Sequence, residues 1–369
     1  GQPPAQALEI YRGDAHDVLA SPGRLDGEGG EKLLLIARAR TFFSTDYLRV
    51  TVDQGAARAS DALQPMREPP KVEVQGISRG QLLFRIQQDW RMDGQTFSSG
   101  SLLSMPLSAV TSPQPAIRPV VVPGPRDSIE QVAVTGGGVL VALYSNVKGR
   151  LLRLQFDGRI WAATDIALPA NGAVSITTAD PRSDTAFATY EDFLQPATLY
   201  QVGVQAAAAR PIKSLAQKFA AGRFAVEQLM ATSKDGTQVP YFVVRPKNFL
   251  ANGTAPTLLY GYGGFDVSML PSYLGTTGKL WLEHGGVYVL ANIRGGGEFG
   301  PAWHEAGLKT HRQVVYDDFI AVAQHLIARR IAAIDEGNRL LRAIGGGCED
   351  ALGGILRRIV AAQHGVGLL

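Results

Sequence analysis

Apolar and polar positions follow two different patterns along this chain, with a change near residue 225. From Ala7 to about Phe224, short apolar runs alternate with turns rich in Gly, Pro, Asp and Ser, which is typical of β-strands. The predicted strands include Lys32–Ala37, Tyr47–Val52, Gln81–Gln87, Gly138–Tyr144, Leu151–Phe156, Thr185–Thr189 and Thr198–Val202. Many short strands predict a sandwich, a barrel or a propeller, and the length allows about four or five propeller blades of ~40–50 residues.

After residue 224, strands alternate with a helix. Ser233–Lys247 predicts a hairpin, and the apolar runs Thr257–Tyr260 and Val287–Ile293 predict strands that end in glycine-rich turns. Asp317–Arg330 has apolar residues at helical spacing, with acidic residues in its first turn and arginines in its last, which predicts an amphipathic helix. Alternation of strand and helix predicts a mostly parallel α/β sheet.

Composition and charge narrow the classes of function. The chain has 369 residues, enough for two domains, and 45% of them are apolar, as in ordinary globular proteins. Lys and Arg outnumber Asp and Glu by only 36 to 33 and are scattered, so nothing indicates binding to nucleic acid or to a membrane surface. A single cysteine, Cys348, excludes an internal disulfide. No apolar stretch reaches the ~18 residues of a membrane span and no signal peptide is visible, which favours a soluble, cytoplasmic protein.

The most informative segment is residues 258–300, in which two predicted strands each lead into a glycine-rich loop. Loops at the carboxyl ends of strands in an α/β sheet carry sites, and glycine lets the backbone turn sharply and approach a ligand. The first loop reads YGYGGF and brings a phenol, Tyr262, next to an aromatic ring, Phe265. The second reads ANIRGGGEFG.

These two loops and four further stretches closely resemble the prolyl oligopeptidase family of serine peptidases. The further stretches stand in the family's order and read YEDFLQPATLYQV, VEQLMATSKDGTQVPYFVVRPK, AWHEAGLKT and YDDFIAVAQHLI, so that the resemblance spans about residues 185–330. It implies a partial β-propeller of antiparallel blades over residues 1–224. The first part of an α/β-hydrolase domain with a mostly parallel sheet would follow over residues 225–330, and a divergent tail over residues 331–369.

The resemblance also implies a function. A member of this family is a serine-type endopeptidase that hydrolyses short peptides, often after proline, through an acyl-enzyme and without a cofactor or metal. Tyr262 matches the family tyrosine whose phenol stabilises the oxyanion. Phe265 matches an aromatic residue beside the pocket for the substrate's proline ring. Ordinary packing of each ring is the alternative interpretation.

The family's serine nucleophile has no counterpart in this sequence. The family places it in a GGSNGG elbow shortly after the helix, followed by the acid and the histidine, whereas this chain reads RAIGGGCEDALGG and has no serine after Ser272. The sequence therefore predicts that the chain lacks the Ser/Asp/His triad and is inactive alone. The alternatives are a non-catalytic, propeller-containing binding fragment and a non-functional truncated product. An esterase or aminoacyl hydrolase on the same scaffold is a weaker option.

Cys348 is the one cysteine that could replace the elbow serine, with His364 as its partner. Asp350 argues against this role, because the strained elbow needs a small residue two positions after the nucleophile. We therefore interpret Cys348 as an incidental cysteine without a catalytic role.

Gly295, Gly297 and Gly300 spell a dinucleotide-binding fingerprint, with Asp317 at the spacing of its acid. The fingerprint acid ends a second strand, whereas Asp317 is expected to open a helix. A structural glycine turn is the better interpretation.

Arg294 and Glu298 flank the triple glycine and predict a buried or loop-fixing pair, to which we assign no chemistry. Three histidines lack the spacing of metal ligands and are expected on the surface or on helices: His304, His311 and His325.

Overall fold

The near-continuous apolar runs of the first half form strands that are buried on both faces. The computed structural model describes residues 3, 9–41, 44–51, 63–66, 69 and 71–332, together with the backbone of residues 341–344. Over the described residues up to 214, sixteen strands form four antiparallel sheets of four strands each, in up-and-down order, and two further strands form a short ribbon. Propellers are built from such sheets, so the predicted propeller architecture is confirmed.

Each sheet is one blade. The first blade contains β1 (Leu19–Asp26), β2 (Lys32–Thr41), β3 (Ser44–Val50) and β4 (Leu63–Pro65). The second contains β5 (Val72–Ser78), β6 (Gln81–Ile86), β9 (Leu102–Pro106) and β10 (Arg118–Val121), and the ribbon β7 (Trp90–Met92) and β8 (Gln95–Phe97) lies between β6 and β9 in sequence. The third contains β11 (Asp127–Thr135), β12 (Gly138–Ser145), β13 (Lys148–Phe156) and β14 (Trp161–Ile166). The fourth contains β15 (Ala173–Thr178), β16 (Thr185–Glu191), β17 (Thr198–Gly203) and β18 (Ala208–Ser214).

Alternate residues of one strand contribute to the cores on the two sides of its blade. In β12, Val139, Val141 and Leu143 pack with second-blade residues such as Leu102, whereas Leu140 packs in the core shared with the fourth blade. Successive side chains of a strand point to opposite faces of its sheet, so a strand between two neighbouring blades needs apolar residues at every position. This requirement explains why GVLVALY is a continuous apolar run rather than an alternating one.

All seven strands predicted in this half are present. The largest differences are at strand ends: β2 continues to Thr41 instead of ending at Ala37, and β3 begins at Ser44 instead of Tyr47. Local apolar patterns locate a strand well and its ends poorly, because pairing with a neighbour decides where a strand stops.

A fifth sheet follows the propeller. Its strands are β19 (Phe224–Thr232), β20 (Gln238–Pro246), β21 (Thr257–Gly261), β22 (Val287–Ala291) and β23 (Leu341–Ile344), in the spatial order β19-β20-β22-β21-β23. The helices of this part are α1 (Gly275–Leu280), α2 (Pro301–Glu305) and α3 (Gln313–Ala328). The sheet begins with the predicted antiparallel hairpin, and β21 is parallel to both of its neighbours, β22 and β23. This is the expected opening of an α/β-hydrolase domain, and the fold class is confirmed.

Both faces of the fifth sheet are covered. Tyr241 and Val243 of β20 face a core that includes α3, whereas Phe242 and Val244 face a second core. That second core also contains Phe193, which lies between β16 and β17 of the fourth blade, so the sheet and the propeller share buried apolar surface.

The predicted helix over Asp317–Arg330 exists, but it begins four residues earlier, at Gln313, and ends at Ala328. The interpretation of Asp317 and Asp318 as first-turn acids is therefore wrong. Asp318 is fully buried inside the helix, where its carboxylate pairs with Arg294. Its position serves this ion pair and not the helix dipole.

The predicted divergent tail, residues 331–369, lies largely outside the described residues, which include only residues 331–332 and the backbone of β23 from it. None of the helices that the structure describes is long and apolar enough to cross a membrane.

Candidate active site

The two glycine-rich loops lie side by side because they follow two neighbouring parallel strands. Gly261 at the end of β21 stands opposite Ala291 at the end of β22. The loop after β21 is residues 262–270 and the loop after β22 is residues 292–300; we call them the tyrosine loop and the arginine loop. Parallel strands bring their carboxyl ends to one edge of the sheet, so the pairing itself assembles the candidate site.

Glycine is required where the two loops touch. Gly263 has φ +60°, and a Cβ there would lie 2.7 Å from Ile293 Cγ1 and from Val315 Cγ1. The carbonyl of Gly263 accepts a hydrogen bond of 2.6 Å from Arg312 Nη1, which fixes the tyrosine loop to the start of α3. Any side chain at residue 263 would push the loops apart.

Gly263→Ala is expected to lower the free energy of unfolding by at least about 2 kcal/mol. The left-handed backbone costs an L-residue about 1–2 kcal/mol, and overpacking a dense site costs about 1–3 kcal/mol. Gly236→Ala is the matched control, because Gly236 also has a positive φ, +89°, but a Cβ there meets nothing within 4 Å. Urea unfolding of both variants measures the difference, and equal losses would contradict the packing argument.

The structure places Tyr262 and Phe265 in the same loop with different exposure. Tyr262 is half-buried directly after β21. Phe265 is 76% exposed, and both it and Asp266 have positive φ, +54° and +58°. The N–H of Val267 donates to the carbonyl of Gly264 over 3.1 Å, which closes a left-handed turn around Phe265. An apolar ring held outward by an unfavourable backbone is a feature that packing alone does not explain.

Arg294 and Glu298 do not form the predicted pair. Arg294 is buried and binds Asp318 through two side-chain contacts, Nε–Oδ2 at 2.9 Å and Nη2–Oδ1 at 2.6 Å, and its backbone N–H donates to Oδ2 over 3.0 Å. Nη1 lies 2.5 Å from Asp235 Oδ2 in the hairpin turn, and Ser233 Oγ donates to Asp318 over 2.6 Å. The pairing was wrong because the carboxylates within reach of this guanidinium come from the β19–β20 turn and from α3.

The ion pairs of Arg294 with Asp235 and Asp318 shift the pKa values of Arg294 and Asp235. The hydrogen bond from Arg294 lowers the pKa of Asp235, and the hydrogen bond with Asp318 raises the pKa of Arg294. Because the pKa of Asp235 is lowered, this carboxylate stabilises the fold above its unfolded pKa of 3.8 and loses that contribution as the pH falls through its folded pKa.

Glu298 instead connects the arginine loop, to which it belongs, with the tyrosine loop through buried hydrogen bonds. Its side chain is 1% exposed, and Oε1 accepts hydrogen bonds from the N–H of Met269 over 3.0 Å and from Asn292 Nδ2 over 3.4 Å. Asn292 Nδ2 also donates to the carbonyl of Met269 over 2.6 Å. Burial raises the pKa of Glu298 to about 7, so the neutral and ionised forms are close in free energy near neutral pH.

The three histidines lie in different environments. His304 was expected on the surface or on a helix; it belongs to α2 but is buried, with Nδ1 2.7 Å from the carbonyl oxygen of Gly295 and 3.0 Å from the amide nitrogen of Asp266. His311 is exposed, and His325 on α3 lies 3.1 Å from the hydroxyl of Tyr241. In the part of the chain that the structure describes, no cluster of three or more His, Cys, Asp or Glu could hold a metal ion.

The propeller contacts the tyrosine loop through Glu130 of β11. Ser268 Oγ donates to Glu130 Oε1 over 2.5 Å, and burial raises the pKa of Glu130. A cavity of about 460 Å³ lies here between the second and third blades and the two loops. Its charged lining residues are Arg85, Asp89, Asp127, Glu130 and Asp266.

Two earlier candidates fall elsewhere. Asp317 lies inside α3 and does not end a strand, so the glycine turn lacks the arrangement of a dinucleotide fingerprint. Cys348 and His364 lie outside the described residues.

Comparisons with known proteins agree with this arrangement. The sequence profile of the "Prolyl oligopeptidase, N-terminal beta-propeller domain" matches residues 91–214, and that of the "Prolyl oligopeptidase family" matches residues 273–346. An uncharacterized peptidase of Sinorhizobium fredii is 39% identical over 337 residues, which are 90% of this chain and 46% of that protein. A prolyl endopeptidase of Elizabethkingia miricola is 32% identical over 193 residues, which are 52% of this chain and 27% of that protein.

A solved structure is similar over almost the whole chain. The structure of a post-proline cleaving enzyme from Rickettsia typhi superposes with a TM-score of 0.83 and 26% identity, over 98% of this chain and 51% of that one. This chain therefore spans about half the length of that enzyme and less than half the length of the curated relatives above.

Proposed function

Because this chain belongs to the prolyl oligopeptidase family, we propose that it carries the substrate-facing loops of a serine peptidase that hydrolyses short peptides, often after proline. In this proposal, the phenol of Tyr262 donates to the oxyanion that forms on the scissile carbonyl, and the ring of Phe265 is a wall for the proline ring. The names of the relatives, prolyl endopeptidase and post-proline cleaving enzyme, support the substrate class.

One observation carries the proposal. The ring of Phe265 is held outward at 76% exposure by a left-handed turn, in the same loop as Tyr262 and at the carboxyl edge of a parallel strand pair. Proline offers a flat apolar ring and no N–H donor, so an exposed aromatic face beside a phenol fits its chemistry. Both groups are supplied by a loop that the neighbouring arginine loop supports.

The test is binding of a proline-containing peptide to this chain. Phe265→Ala is expected to weaken binding about tenfold, since a buried aromatic contact is worth roughly 1–2 kcal/mol. The chain alone is expected to bind without hydrolysis, because no serine follows Ser272. Isothermal titration calorimetry measures the affinity, and a chromogenic proline peptide measures the hydrolysis.

Leu250→Ala is the matched control. Leu250 is 78% exposed, similar to Phe265, but precedes β21 and so lies toward the opposite end of that strand. Equal affinity of the two variants would refute the role of Phe265. Labelling of the chain by a fluorophosphonate probe, or hydrolysis that Cys348→Ala abolishes, would refute the expectation that the chain alone is inactive.

A further inference from the structure

Four residues of the tyrosine loop, Asp266–Met269, are held from two sides; we call them the 266–269 segment. From the propeller, Glu130 Oε1 accepts the hydroxyl of Ser268 over 2.5 Å. From the arginine loop, Glu298 Oε1 accepts the N–H of Met269 over 3.0 Å. Two adjacent residues of one loop are thus bound by carboxyls that belong to different parts of the fold.

The environment of these carboxyls is poor in positive charge. Burial raises the pKa of Glu130, of Asp266 and of Glu298, and Glu130 and Glu298 lie close enough to act on each other. The charge of Arg85 acts against the rise in the pKa of Glu130, but the guanidinium of Arg85 is already bound to Glu73 over 2.8 Å. The other titratable groups that face the three carboxyls are Tyr144, His304 and Glu305.

The contacts of Glu298 are also incomplete. Glu298 Oε2 is buried and has no hydrogen-bond partner among the residues that the structure describes. If Glu298 is ionised, this buried oxygen is negatively charged and has no hydrogen-bond donor, which costs free energy. The neutral acid costs less, because it carries no net charge. Ionisation of Glu298 therefore favours any movement of the loop that admits water.

We propose that Glu130 and Glu298 are positioning residues that clamp the 266–269 segment between the propeller and the arginine loop, and so hold Phe265 in its outward turn. Phe265 directly precedes the segment, and its turn is closed by the N–H of Val267, a residue inside the segment. Release of the segment allows the backbone to leave the left-handed conformation, which is unfavourable for Phe265. The proposal rests on the proposed function in one respect, namely that Phe265 faces the substrate.

The clamp is tested by amide hydrogen exchange of Val267, whose N–H bonds to neither carboxyl. Glu130→Ala and Ser268→Ala both remove the hydrogen bond between these two residues, and Glu130→Ala also removes the one that Ser128 Oγ donates over 3.2 Å. Each variant is expected to lower the protection of Val267 by about tenfold, and the double variant by no more than Glu130→Ala alone. Glu28→Ala is the matched control, because Glu28 is a propeller carboxyl that accepts from Ser78 Oγ over 3.2 Å and has no contact with the segment. Unchanged protection in both single variants would overturn the proposal.

A pH series tests the part played by Glu298. Protection of Val267, corrected for intrinsic exchange, is expected to fall in the wild-type chain as the pH rises through the pKa of Glu298, about 7. Glu298→Gln keeps an acceptor for Met269 but cannot ionise, so the protection of Val267 in this variant is expected to fall less over the same pH range, with only the contribution of Glu130 and Asp266 remaining. The same fall in Glu298→Gln would overturn the role of Glu298.

Addition of a proline tetrapeptide separates the clamp from the proposed function. If the variants behave as expected but the peptide neither binds nor changes protection at Val267, the clamp stands and the assignment of Phe265 to substrate fails. If the peptide binds and the variants leave Val267 unchanged, the assignment stands and the clamp fails.

Discussion

Asp318→Ala is expected to destabilise the α/β part of this protein by about 3–5 kcal/mol, the usual cost of removing one partner from a buried ion pair. Asp318 is fully buried and accepts hydrogen bonds from the side chain of Arg294, from its backbone N–H and from Ser233 Oγ. Without the carboxylate, the guanidinium of Arg294 stays buried with Asp235 as its remaining ion-pair partner, and Asp235 is itself 46% exposed at its side chain.

The measurement must report this domain separately, since a chain with two domains need not unfold in one step. Hydrogen exchange of the amides of α3 and β22, followed by mass spectrometry in increasing urea, gives the local free energy of opening. Asp165→Ala is the control: Asp165 binds Arg150 over 2.8 Å at a surface where both side chains are about half exposed, and its loss is expected to cost at most about 1 kcal/mol. A cost of Asp318→Ala as small as that of the control would contradict the structural role of the network.

The fold was largely predictable because its determinants are local. Strands such as β6 and β12 are apolar on both faces, so their sequences alone identify them as buried strands. The glycine-rich turns after β21 and β22 likewise identify the carboxyl edge of a sheet from local sequence, before the neighbouring strands are known. The start of α3 was misplaced, since Gln313 and the residues before it carry no capping signal that would outweigh the acidic pair.

The contacts that support the site were not predictable in the same way. Arg294 binds acids 24 and 59 residues away, and Glu130 binds Ser268 across 138 residues. Local patterns in a single sequence carry no information on such distant partners. The sequence therefore suggested Glu298, the acid closest to Arg294 along the chain, as its partner. The one available signal was an arginine that directly follows an apolar strand and precedes a glycine run. An arginine buried there requires acids from other parts of the chain.

Tyr262→Phe is expected to lower kcat by ~10²–10³-fold in a longer form of the protein, extended by a segment that supplies a serine nucleophile. The phenol would donate to the oxyanion in the transition state and hardly to the substrate before it, so kcat/KM should fall by a similar factor. Tyr262 is half-buried at a strand end, and loss of its hydroxyl removes little packing, so the thermal midpoint should stay nearly unchanged.

Tyr260→Phe separates the role of this hydroxyl from the general effect of losing a phenol two residues away. Tyr260 lies within β21 and packs with the core that includes Phe242 and Leu290, so its substitution should leave kcat close to that of the parent enzyme. Stopped-flow hydrolysis of a proline peptide by the two variants distinguishes the possibilities. If Tyr262→Phe kept the full kcat, the tyrosine loop would bind substrate without stabilising the transition state, and the oxyanion donors would have to come from backbone N–H groups or from another element.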